Sequence, residues 1–119
     1  MDKQFLYAFI CLLALPMPLP TPSIVGHWLA GGPDNGKVWV DFNADGGFKV
    51  YTATSTENQG RYILNADTIS LYDNNCGMST AGRYLLKFYG EDSVSFSVVN
   101  DPCKDRSGEV NGGRLRRIK

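Results

Sequence analysis

Hydrophobic and polar residues alternate along most of the chain from residue 24 onward. Val38, Val40 and Phe42, for example, alternate with Trp39 and Asp41. A period of two is typical of strands that bury one face, and no segment shows the 3.6-residue period of an amphipathic helix. The pattern predicts about eight short strands, the first over residues 24–30 and the last over about residues 113–118.

Short segments rich in Gly, Asn and Asp separate these strands. The clearest are residues 43–47, 65–67 and 90–92, which have the composition of hairpin turns. Turns this short join consecutive strands in antiparallel order, because a parallel connection needs a dozen or more residues. An eight-stranded meander can remove its two open edges by closing on itself. We therefore expect an all-β fold, an antiparallel up-and-down meander closed into a barrel.

One face of the predicted strands is apolar and would point into the barrel. An interior enclosed by eight strands is wide enough for packed side chains or for one small ligand. A filled core and a ligand cavity are equally compatible with strands of six or seven residues. If a cavity exists, an apolar ligand would enter at the end opposite Trp28 and contact some of Phe42, Phe48, Tyr84 and Phe88. The inward candidates are Phe42, Phe48, Val50, Ile63, Ile69, Leu71, Tyr84, Leu86, Phe88, Phe96 and Val98.

A dispersed pattern of residues runs through the same region. Its elements, in chain order, are Gly26-x-Trp28, Asp45-Gly46-x-Phe48, Gly60-x-Tyr62, Cys76-Gly77, Asp101-x-Cys103-x-x-Arg106 and Gly113-x-x-x-Arg117-Ile118. Over residues 24–118 this order resembles the bacterial lipocalin-like proteins of the calycin group. The resemblance implies that Trp28 plugs the closed end of the barrel and that Arg117 stacks over it. Such a contact stabilises by about 0.5–2 kcal/mol and needs no ligand.

The first 23 residues resemble a secretory signal peptide. Lys3 is followed by an apolar run over residues 5–15 and then by four prolines. The run is roughly half of the ~20 residues that span a bilayer. We expect cleavage before Ile24, a barrel domain over residues 24–119, and a secreted or periplasmic location. An uncleaved apolar anchor is the alternative.

Removal of this segment would also remove Cys11, leaving Cys76 and Cys103 as an even pair. A hairpin turned at residues 90–92 places Cys103 opposite Thr80, only four residues from Cys76. A disulfide between the two is expected in an oxidising compartment. Closing a loop of about 28 residues would stabilise the fold by roughly 3–4 kcal/mol. Two buried free cysteines are the alternative.

Charge gives no reason to expect a nucleic-acid or anionic-membrane partner. The 12 basic and 12 acidic residues give a formal net charge of zero. The basic C-terminus, with Arg114, Arg116, Arg117 and Lys119, is a local exception. Alternation along a strand would divide these cations between two faces, as in a solvated edge that resists aggregation.

Candidate chemistry is sparse. His27 is the single histidine, and on its strand it points away from the Trp28 face, so we expect neither a metal site nor a catalytic base. A nucleophile, a general base and an orienting group do not occur together in the sequence, so we predict that the protein is not an enzyme and needs no cofactor. We also expect a monomer.

Three functions remain open. The first is a carrier of a small apolar molecule. The second is a protein-binding module, such as a protease-inhibitor-like calycin, with Trp39 and Tyr51 as exposed anchors and residues 31–36 or 54–59 as contact loops. The third is a structural domain of the cell envelope.

Overall fold

The computed structural model describes residues 22–30 and 36–118. They form an all-β antiparallel meander whose eight strands close into a barrel, as predicted. One short helix, α1, lies between β7 and β8. The elements are β1 (Gly26–Ala30), β2 (Val38–Phe42), β3 (Gly47–Tyr51), β4 (Thr56–Asn65), β5 (Thr68–Asp73), β6 (Gly77–Tyr89), β7 (Ser93–Asn100), α1 (Lys104–Val110) and β8 (Arg114–Arg117).

Residues 1–21, most of the predicted signal peptide, lie outside the described part of the chain, as do residues 31–35 of one predicted contact loop and Lys119. Cleavage before Ile24 thus stays a prediction. Across the two described ranges, no helix has the length and apolar character needed to span a membrane.

The barrel closes through β8, which pairs with both β7 and β1. Val94 faces Leu115 on one side, and Trp28 faces Arg117 on the other. The first and last strands therefore each gain a second partner, so none of the eight described strands is an open edge for pairing with another chain. Arg114 and Arg116 point outward and Arg117 inward, the alternation expected for the basic C-terminal strand.

The predicted turns lie where the composition places them. In the β2–β3 turn, Asn43 N–H donates to the Gly47 carbonyl at 2.8 Å, and Gly46 has a φ of +96° that favours glycine. The β6–β7 hairpin pairs Leu86 with Phe96 and, beyond a register shift, Arg83 with Asn100. That register is within one residue of the predicted one.

The interior is occupied by apolar side chains from every strand. Thirteen buried hydrophobic residues form one cluster, to which each strand contributes at least one and the segment before β1 contributes Ile24. Phe42 and Tyr62 meet edge to face with ring centroids 5.2 Å apart. The cluster consists of Ile24, Trp28, Val40, Phe42, Phe48, Tyr62, Ile69, Leu71, Tyr84, Leu86, Val94, Phe96 and Leu115.

One predicted inward position is wrong, because Ile63 is 50% exposed. Val98 pairs with the buried Tyr84 and so keeps the predicted inward register, although it is 39% exposed. On β4 the inward residue is Tyr62, which pairs with Leu71, so its neighbour Ile63 must point to the opposite face. The Tyr62 hydroxyl donates a hydrogen bond to the Asn43 carbonyl at 2.6 Å. This bond explains how the polar group is accommodated in a buried position.

Helix α1 was not predicted. Its seven residues bury only one side chain, Arg106. Such a helix lacks an apolar stripe, so hydrophobic periodicity cannot reveal it. Likewise the predicted contact loop at residues 54–59 is in part strand, because β4 begins at Thr56.

The two ends of the barrel differ in what covers them. The Trp28 end carries residues 22–25 and the turns β2–β3, β4–β5 and β6–β7. The disulfide end carries the β3–β4 and β5–β6 connections and helix α1.

Candidate functional site

Trp28 lies buried near one end of the barrel, on β1. The side chain has no exposed surface, and its indole N–H donates to the Ile24 carbonyl at 2.8 Å. The Arg117 guanidinium lies 4.1 Å from the centre of the indole ring. This is the arrangement that the resemblance to lipocalin-like proteins implies for these two residues.

Arg117 also ties three backbone segments together. It donates to the carbonyls of Ser23 at 2.6 Å, Val25 at 2.9 Å and Glu91 at 2.7 Å. A Cβ on Gly26 would approach Arg117 Nη1 to 2.5 Å, and Gly26 has a φ of +147°. The glycine of the Gly-x-Trp pattern is therefore required by the guanidinium packed against it.

The four candidate ligand-contact residues are part of the core or packed on it. Phe42, Phe48 and Tyr84 are buried, and Phe88 is partly buried against the core cluster. Phe42 and Phe48 flank the β2–β3 turn and Phe88 precedes the β6–β7 turn, so these three lie toward the Trp28 end. Entry of a ligand at the opposite end and its contact with some of these residues stay a prediction.

A disulfide links Cys76 and Cys103 at the other end, as predicted. Cys76 lies between β5 and β6, and Cys103 is the residue before α1. Their Cα atoms are 6.0 Å apart, within the range that a disulfide spans. The bond joins α1 to the β5–β6 turn.

A buried ion-pair network lies beneath this disulfide. Arg106 donates to Asp101 at 2.8 Å and to Asp73 at 3.1 Å, and its guanidinium also reaches the Thr80 carbonyl at 3.0 Å. Every buried side-chain polar atom in the described ranges has a hydrogen-bond partner. Arg106 thus holds α1 against the end of the barrel. Asp73 and Asp101 compensate the charge of its guanidinium, as burial of that group requires.

Both carboxylates also bind the backbone beside the disulfide. Asp73 accepts from the Cys76 amide at 2.8 Å, and Asp101 accepts from the Cys103 amide at 2.9 Å. Two aspartates and one arginine thus connect the same two segments that the disulfide joins. The network and the covalent bond reinforce each other.

The network perturbs the ionisation of its members. Burial, together with the hydrogen bond to Asp101, raises the pKa of Tyr84 far above its usual value. Burial alone would raise the pKa of Asp101, but hydrogen bonds from Arg106, Tyr84 and the Cys103 amide outweigh it and lower that pKa. Asp101 therefore stays ionised and Tyr84 stays neutral across physiological pH.

Sequence reasoning did not assign this network. Asp101-x-Cys103-x-x-Arg106 was visible as part of a pattern, and the helical spacing of Cys103 and Arg106 could have placed both on one side of a turn. Asp73 had no such signal, because it is 33 residues from its partner.

A second polar cluster lies on the outer face of β1, β2 and β3. His27 Nδ1 contacts the Asp41 carboxylate, and the Tyr51 hydroxyl lies 3.2 Å from the same nitrogen. Partial burial and the adjacent Asp41 carboxylate raise the pKa of Tyr51. Trp39 stacks on Tyr51 with ring centroids 5.8 Å apart. His27 is thus an exterior residue, and the two predicted anchors are half-buried and packed on each other.

Among the described residues, no three His, Cys, Asp or Glu side chains are grouped so that they could hold a metal ion. No protein-family model matches the chain, and no curated protein matches it. What the protein does is therefore inferred from its barrel topology and its side-chain contacts.

Proposed function

We propose that the chain is an exported, non-enzymatic lipocalin-like barrel of the calycin type that binds a protein partner through the outer face of β1–β3. One observation carries the proposal. The interior is occupied by a continuous cluster of side chains from all eight strands, whereas a pair of stacked aromatic rings lies outside the barrel.

The closed end supports the lipocalin-like assignment. Trp28 on the first strand is covered by Arg117 on the last, in a sequential eight-stranded closed meander. Export is supported by the disulfide, since such bonds persist in oxidising compartments and are rare in reducing ones.

The outer face has the composition of a protein-binding surface. Trp and Tyr are enriched among residues that contribute most to binding energy, because large rigid rings cover much area at little entropic cost. Trp39 and Tyr51 face each other across β2 and β3, and the Lys49 ammonium lies 5.0 Å from the centre of the Tyr51 ring. A partner would find a preformed aromatic surface bordered by charged groups.

An interior carrier has less support. Tyr84 is fully buried and its hydroxyl is engaged by Asp101. Phe42 and Phe48 stack on each other within the core, with ring centroids 5.9 Å apart. A ligand in contact with these rings would have to compete with the side chains packed on them.

Native mass spectrometry of the protein purified from its own host tests the proposal. Wild type should carry a second protein chain, and Trp39→Ala and Tyr51→Ala should lose it while keeping the fold. Tyr89→Ala is a matched control, because Tyr89 is another outward aromatic with cations over its ring. Its partner binding should be unchanged.

Two results would contradict the proposal. One is a wild-type protein that carries a lipid and no protein chain. The other is loss of the partner in Tyr89→Ala to the same extent as in Trp39→Ala, which would place binding elsewhere on the barrel.

A further inference from the structure

An open pocket of about 370 Å³ lies beside the outer face of β3 and β4. This volume is within the usual range for small-molecule sites. Strand pairing brings its lining together, because Lys49 faces Gln59 and Gly47 faces Arg61 across the two strands. The lining residues are Asn43, Gly47, Phe48, Lys49, Gln59, Gly60, Arg61, Asn74 and Met78.

Gly47 stands opposite Arg61 in the lining of the pocket. A Cβ at Gly47 would lie 3.3 Å from Asp45 Oδ1 and 3.7 Å from Asn43 Nδ2. The Asp45 carboxylate does not line the pocket, and it accepts a hydrogen bond from the Gly47 amide at 2.9 Å.

The charge of the lining has one sign. Lys49 and Arg61 are the two charged lining residues, and no acidic side chain lines the pocket. Within the described ranges neither cation has a carboxylate within 4.0 Å; the ion pairs there involve His27 and Arg106 instead. Asp41 lies opposite Lys49 across β2 and β3, but its carboxylate is engaged by His27 and Tyr51 and makes no direct ion pair with Lys49.

Both cations are held by aromatic rings. The Lys49 ammonium lies 5.0 Å from the centre of the Tyr51 ring, and the Arg61 guanidinium lies 4.6 Å from that of Tyr72. Stacking of this kind restricts a long side chain without cancelling its charge. Each cation is thus oriented before a ligand arrives, which reduces the entropy lost on binding.

The uncharged lining suits a polyhydroxylated ligand. Asn43, Gln59 and Asn74 supply amide groups, each of which both donates and accepts hydrogen bonds. Sugar hydroxyls have the same double capacity. Met78, which is 40% exposed, adds apolar surface that can pack on the C–H face of a pyranose ring.

We propose that this pocket binds an acidic sugar, a hexuronate whose carboxylate lies between Lys49 and Arg61 and whose hydroxyls bond to the amides. Neither Trp39 nor Tyr51 lines the pocket, but Lys49 stacks on Tyr51, so this pocket borders the partner surface proposed above and is tested separately by sugar binding. Binding of one sugar unit is expected to be weak, as for an open site with few contacts.

A matched ligand pair tests the charge. Glucuronate and glucose differ only in a carboxylate against a hydroxymethyl group, and acetate supplies the carboxylate alone. NMR titration of the exported protein should show saturable shifts at Asn43, Gln59 and Asn74 with glucuronate. Glucose and acetate should each bind at least about tenfold more weakly.

A matched pair of variants tests the site. Lys49→Gln with Arg61→Gln should abolish glucuronate binding and leave the fold intact. Lys87→Gln with Arg114→Gln removes the same charge from another outer face, where both cations lie over Tyr89, and should leave binding unchanged. Equal weakening in both double variants would overturn the proposal, since it would show non-specific attraction. The proposal would also be overturned if glucose or acetate bound as tightly as glucuronate. It would be overturned likewise if glucuronate gave no saturable shift.

Discussion

Trp28 has no exposed surface, and its indole N–H and its ring face both have partners within the barrel. Trp28→Ala should therefore lower the free energy of unfolding by about 3–5 kcal/mol, the usual cost of emptying a large aromatic site. Trp39→Ala, on the outer face, should cost less than about 2 kcal/mol. Urea denaturation of both variants measures the difference, and equal losses would show that Trp28 does not plug the barrel.

Asp101 links the stability of the protein to pH. The pKa of Asp101 is lowered in the folded state. Its contribution to the free energy of unfolding is therefore complete above the ordinary pKa of 3.8. That contribution is lost as the pH falls through the lower pKa of the folded state. Its side chain is fully buried beside Arg106, and breaking such a pair costs about 3–5 kcal/mol at pH 7.

Asp101→Asn should therefore be strongly destabilised at pH 7, and its deficit relative to wild type should shrink as the pH falls below about 4. Denaturation curves at several pH values give this comparison. Asp105→Asn, at an exposed position on α1, is the control and should follow the wild-type profile. A deficit for Asp101→Asn that is constant with pH would show that the carboxylate charge is not what stabilises the fold.

At the scale of elements, Gly82 on β6 makes room for the contact between α1 and the barrel. A Cβ there would collide with Asp101 Oδ2 and would approach Arg106 Nε to 2.6 Å. Gly82→Ala should thus displace the ion pair and destabilise the protein by about 1–3 kcal/mol.

Gly108, within α1, is the matched control for this glycine. A Cβ at Gly108 would meet nothing within 4 Å, so Gly108→Ala should raise stability by about 0.5–1 kcal/mol through helix propensity. Thermal unfolding of the two variants should give shifts of opposite sign. Stabilisation by Gly82→Ala would contradict the packing of Arg106 over β6.

The disulfide restrains the same two segments as the Arg106 network. Because Cys76 and Cys103 are 27 residues apart, replacing both with Ser should lower stability by about 3–4 kcal/mol. Intact mass after alkylation of the folded, exported protein should show no labelled thiol at these positions. Labelling without prior reduction would mean that the bond is not formed there.

How far each element could be predicted depends on what holds it in place. The β2–β3 and β6–β7 hairpins are held by alternating apolar residues and by turn residues close in sequence, so local pattern is sufficient. Helix α1 is held by Arg106 and the disulfide, and neither produces a hydrophobic period. The exposure of Ile63 depends on which face of β4 packs inward, and a strand with Tyr62, Ile63 and Leu64 in succession leaves that choice open.

At the scale of the whole molecule, closure of the sheet was predictable because eight sequential strands have only two edges to pair. The candidate sites were less predictable. The Asp73–Arg106 pair and the approach of Asn74 and Met78 to β3 both depend on long-range packing. Without Cys11, the two remaining cysteines allow only one pairing, so the disulfide could be assigned from the sequence. The charged residues beside it allow many pairings, so the ion pairs could not.

The central claim is that the barrel interior is occupied by its own side chains and that binding takes place on the outside. Native mass spectrometry of the folded, exported protein with excess palmitate tests this most directly. The packed core predicts only scattered, non-saturable adducts, because an acyl chain would have to separate the buried rings of Phe42, Phe48 and Tyr84. A saturable one-to-one complex of palmitate with the folded wild-type protein would contradict the claim and favour an interior carrier.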